Sequence, residues 1–89
     1  MIGVQISGAI LEEQGVTFGV FMVQPHVLHY TVTAVQARRQ ISYFLPNIPI
    51  ILMSIDDKGA VRYAGRKDIV DFLKSVRPEQ IPWKRYRIY

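Results

Sequence analysis

The sequence predicts a single α/β domain: a four-stranded mixed sheet with two helices, in the order β-β-α-β-β-α. Three observations carry this. Two dense apolar runs, Val16–Val23 and Ile50–Ile55, read as strands buried on both faces. Two turns share one pattern: Leu11-Glu12-Glu13-Gln14-Gly15-Val16 and Ile55-Asp56-Asp57-Lys58-Gly59-Ala60 both run apolar, acid, acid, polar, glycine, apolar. Each predicted hairpin is followed by a stretch with apolar residues at helical spacing.

Taken in order, Ile2, Val4, Ile6 and Ile10 alternate with Gly3, Gln5, Ser7 and Ala9, which predicts an amphipathic strand at a sheet edge. Gly15 closes the first hairpin because a short loop needs a left-handed residue there. In the second strand Val16, Phe18, Val20 and Met22 share one face, and Phe21 and Val23 the other, so it is expected to be central. The two turns would suit a duplicated ββα unit, but convergence accounts for them better, since hairpin geometry alone demands the glycine. Pro25 ends the strand or opens a helical turn. From Thr31, the residues Ala34, Ala37, Ile41, Phe44 and Leu45 fall on one helical face, with Gln36, Arg39 and Gln40 opposite. Thr31 or Thr33 is a candidate cap. The β-branched Val32, Thr33 and Val35 also fit an extended start, and Pro46 ends the helix.

The third strand follows Ile48-Pro49, and its hairpin turns at Asp56-Asp57-Lys58-Gly59. Ala60–Ala64 is the half-buried return strand, broken by Gly65. Ile69, Val70, Leu73 and Val76 mark the last helix, which Pro78 is expected to end near Val76. A right-handed crossover makes the second and third strands parallel neighbours, leaving the first and fourth at the edges. Residues 1–76 are read as the domain. Residues 77–89 are a basic, aromatic tail packed on it, and the Tyr86/Ile88 alternation there allows a short strand.

The stretch from Asn47 to Val76, with its Ile-Pro strand start, glycine-closed hairpin, Gly65 and final amphipathic helix, resembles the C-terminal half of the thioredoxin-like fold. The resemblance implies a cis peptide bond before Pro49 at a position that borders the family's active site. The chain has no cysteine, so the resemblance implies a fold and no dithiol chemistry.

Composition narrows the function further. The chain of 89 residues has room for one small core. No apolar run is long enough to span a bilayer, and Met1-Ile2-Gly3 lacks a basic leader, so no membrane attachment is expected. Zero cysteines exclude a disulfide scaffold and a zinc ribbon, and fit a cytoplasmic protein. Residues 1–61 carry three basic and four acidic groups, whereas residues 62–89 carry eight basic and three acidic. That asymmetry points to an anionic partner.

His26 and His29 lie three apart with no third ligand evident, so no metal is expected. Asp56 and Asp57 are explained by the turn. No nucleophile–base set or glycine-rich phosphate loop appears, so the chain reads as no enzyme and takes no cofactor. Arg66 and Lys67, ahead of the last helix, form a candidate anion site. Lys84, Arg85 and Arg87, interleaved with Trp83, Tyr86 and Tyr89, form a candidate nucleic-acid-binding tail, since stacking plus phosphate pairing holds single strands. The alternative places Trp83 and Ile88 on the core with the cations in water. The leading expectation is a non-catalytic protein-interaction module with an unknown protein partner, and nucleic-acid binding is the alternative. A homodimer is also expected, because both helices on one sheet face would leave the apolar opposite face bare.

Overall fold

The computed structural model describes residues 4–88. Five strands and two helices follow in order: β1 (Val4–Glu13), β2 (Val16–Met22), α1 (Thr31–Phe44), β3 (Ile50–Ile55), β4 (Val61–Ala64), α2 (Lys67–Leu73) and β5 (Lys84–Ile88). Short 3-10 turns at Pro25–Leu28 and Pro78–Gln80 precede α1 and β5.

The hairpins form as their turn residues dictate. Gly15 and Gly59 have φ of 79° and 83°, conformations that strain other residues. Asp56 Oδ1 accepts hydrogen bonds from the main-chain N–H of Lys58 and Ala60, at 2.9 and 2.8 Å, so this carboxylate belongs to the turn. Pro25 opens its 3-10 turn. The helix starts at Thr31 with no side-chain cap; Thr33 Oγ1 instead donates to the carbonyls of Val27 and Tyr30, tying the turn to the helix. α2 ends at Leu73, a turn before the expected Val76, and the chain then tightens through bonds from Ser75 N to Phe72 O and Val76 N to Leu73 O.

The sheet has the order β4-β3-β2-β1-β5, five strands where the sequence predicts four. β2 and β3 are parallel and every other pair is antiparallel. The tail supplies the extra strand. β5 joins the N-terminal half of β1, from Val4↔Ile88 to Gly8↔Lys84, so β1 is interior and not an edge. Its pattern deceives: Ala9, on the face read as the wetter one, is buried, while Ile10 is 39% exposed.

The bond before Pro49 is trans, since no described peptide bond is cis, so the expected cis-proline is corrected. Pro49 has another duty. Its carbonyl accepts from Gly19 N at 2.9 Å, where β3 comes alongside β2.

The helices lie on opposite faces. Ile69 and Leu73 of α2 pack with Phe18, Val20, Ile51 and Met53. Ala34 and Ile41 of α1 pack with Phe21, Ile50 and Leu52. Each buried Val, Ile, Leu, Met or Phe among them stabilises the fold by about 1.5–3 kcal/mol. The handedness rule constrains crossovers between parallel strands. It says nothing of α2, which leads from β4 to a β5 running the other way. The bare face that motivated a homodimer is therefore covered, and that argument for dimerisation falls.

Candidate interaction surface

β5 alternates, and the alternation sorts the tail. Trp83, just before it, packs on the α2-side core, and its Nε1 donates to Pro78 O at 2.9 Å. Tyr86 points to the other side and meets Phe21 edge-on, with ring centroids 5.5 Å apart. The aromatic residues therefore serve the two cores. Lys84, Arg85 and Arg87 remain exposed on the strand that ends the sheet. Tyr89 lies outside the described residues.

Arg85 and Arg87 leave the sheet on the same side as Gln5 and Ser7, their partners or near neighbours on β1. Arg85 Nη1 donates to Gln5 Oε1 at 2.9 Å. The ion pairs formed among the described residues are Arg66–Asp68 and Lys74–Asp71. Lys84, Arg85 and Arg87 thus keep their charge unmatched by any described acid.

The other predicted anion site is internally satisfied. Arg66 grips Asp68 with Nε to Oδ1 at 2.7 Å and Nη2 to Oδ2 at 2.8 Å. This hydrogen-bonded contact lowers the Asp68 pKa and raises that of Arg66. Both are solvent-exposed, so the pair contributes little to stability. Lys67 is exposed but stands alone beside that pair, and the structure does not bring either residue to the β5 cations as one cluster.

His26 and His29 are exposed around the first 3-10 turn. Among the described residues no three His, Asp or Glu side chains converge as a metal would require. Tyr63, whose hydroxyl donates to Leu73 O at 3.3 Å, has its pKa raised by burial and reads as a strut between β4 and α2. No helix of the described residues is long and apolar enough to cross a membrane.

A groove of about 590 Å³ opens beside the cations, at the carboxyl ends of β2 and β3. Gln5, Ser7 and Arg85 give it a polar wall; Met22, Val27 and Ile55 give it an apolar one. Sequence reasoning identified Arg85 alone of these six. Ile55 carried the one available signal, as the end of an apolar run, and it is 38% exposed. A second, smaller gap of about 140 Å³ lies under the end of α1, among Phe21, Ile41, Phe44, Leu45, Tyr86 and Arg87.

No known protein family, curated protein or solved structure matches the chain.

Proposed function

We propose that this chain is a non-catalytic protein-interaction module that receives an acidic, extended partner segment on the outer edge of β5. One observation carries the reading: β5 ends the sheet, and three of its five residues are cations facing no described acid. An edge strand offers main-chain N–H and C=O groups to an added strand, and charge selects which strand is added. Cations on an edge also discourage a second copy of the same edge, since β5 against β5 would place like charges together. The sequence-based alternative, nucleic-acid binding, needs exposed rings for stacking. Trp83 and Tyr86 are packed against the cores, which favours the protein reading.

The test is fluorescence anisotropy with a labelled peptide of alternating glutamate and valine, alongside a labelled oligothymidylate. The peptide is expected to bind, to weaken with salt, and to lose about tenfold or more in affinity on the double change Lys84→Glu and Arg87→Glu. Tighter binding of the oligothymidylate would replace this reading with the nucleic-acid one. Binding unaffected by the charge reversal would overturn it. Sedimentation equilibrium of the unliganded chain is expected to give a monomer, and a dimer unaffected by the double change would move the interface elsewhere.

A further inference from the structure

The sheet forks. β1 pairs with β2 only from Gly8↔Phe21 to Glu13↔Val16, and with β5 only from Val4↔Ile88 to Gly8↔Lys84. Past Phe21, β2 leaves β1 and stays with β3: Met22 pairs with Met53, and Val23 N donates to Met53 O at 2.8 Å. Residues 4–7 of β1 therefore have β5 on one side and no described strand on the other. Alternate main-chain N–H and C=O groups of a strand point to opposite sides, so part of this segment's hydrogen-bonding capacity faces the groove.

The groove has the volume of a ligand site and the usual division of labour, with apolar walls and a few convergent polar groups. Its polar end is built around one guanidinium. Arg85 stands opposite Ser7, one residue from Gly8, where the fork closes. The bond from Arg85 Nη1 to Gln5 Oε1 holds it along the polar wall and leaves other N–H donors of the fork free of any described acid. Such a fork takes a carboxylate through two parallel hydrogen bonds. Met22, Val27 and the part-exposed Ile55 form the facing wall.

We infer that this fork captures the free C-terminus of an extended peptide ending in an apolar residue. The inference rests on the protein-interaction reading and names a second, separate contact for it. The added chain would pair with the free side of residues 4–7, set its last side chain against Met22 and Ile55, and deliver its terminal carboxylate to Arg85. The shape favours a chain end over an internal segment. Gly8↔Phe21 closes the fork, so a strand that enters has no way through and must stop inside. The free stretch of β1 matches a segment of three or four residues.

The test is an amide-resolved NMR titration of the whole chain with the pentapeptide Gly-Ser-Thr-Val-Leu, as the free acid and as the C-terminal amide. The free acid is expected to shift Gln5, Ser7, Met22 and Ile55 saturably, and the amide to bind at least tenfold more weakly. Arg85→Gln is expected to erase that discrimination, whereas Lys84→Glu with Arg87→Glu leaves it intact. Ile55→Ser, at a part-exposed position, is expected to weaken both forms without unfolding the chain. Equal binding of acid and amide, or no shifts at millimolar peptide, would overturn the inference. If the glutamate–valine peptide still binds the β5 edge in that case, the interaction reading survives and only the fork assignment fails.

Discussion

The two faces of the sheet are covered in different ways, and the longer helix does not do the more complete job. α1 has fourteen residues and α2 seven. Yet the α1 side is where Ile10 is 39% and Phe44 45% exposed, and where the apolar gap beneath Phe44 and Tyr86 lies. The middle of the α2 side is closed by Ile69 and Leu73 together with Ile81, and Val76 and Trp83 pack against that cluster, while Ile55 and Val61 stay 38% and 37% exposed at its margin. Topology explains the difference. α1 joins β2 to β3, which are neighbours, so its chain need not pass over β1 and β5. The chain after β4 starts at one edge and must reach β5 at the other. It has to cross the whole face, and its apolar residues Val76, Ile81 and Trp83 seal the middle that α2 leaves open. Coverage is set by how far the connection travels and less by how much helix it contains.

Three substitutions probe this contrast. The largest effect is expected from Trp83→Ala on the crossing segment. It removes a large ring and its bond to Pro78 O, and is expected to destabilise by about 3 kcal/mol in chemical denaturation. A change near zero would show that the crossing segment is not what seals the α2 side. Next comes Gly8→Ala. A Cβ there would run into the Phe21 ring, which lies over Gly8 on the α1 side. A shift of about 1–3 kcal/mol in the same assay is expected. A neutral result would mean that Phe21 moves freely and that its position does not close this side. The smallest effect is expected from Phe44→Ala, about 0.5–1 kcal/mol, since the ring is nearly half in water. A loss as large as that of Trp83→Ala would erase the distinction between the faces.

Much of the fold was legible in local signals. β2 and β3 announce themselves by apolar density, both hairpins by their glycines, and the faces of β2 divide as the alternation of Phe18, Val20 and Met22 against Phe21 predicts. What escaped is non-local. Nothing near Lys84 says that its strand will pair with Gly8, and nothing in Ile69 or Leu73 says which face α2 takes. Helical spacing placed Phe44 on the buried side of α1, but it borders the open gap it shares with Tyr86 and Arg87 and stays 45% exposed. For the candidate surface, sequence reasoning found the cations by charge. It missed the fork because Gln5, Ser7 and Met22 become a site only when β1 changes partner at Gly8.

That change of partner has a kinetic side. The bond between Arg85 and Gln5 joins residues 80 positions apart. Closing a loop of that length costs about 4 kcal/mol of chain entropy beyond the constant term, against far less for either hairpin. The hairpins and the β2–β3 pair can assemble first, and β5 then docks onto a β1 already held by β2. Docked last, it is also expected to detach first, so that amide hydrogens of β5 exchange through local opening while those of β3 wait for global unfolding. Equal protection of Tyr86 and Leu52 in native-state exchange would show instead that the sheet opens only as a whole. If β5 does open early, the interaction surface is carried by the segment whose order is least secure, and a partner strand that adds to its edge would also hold the closing strand of the sheet in place.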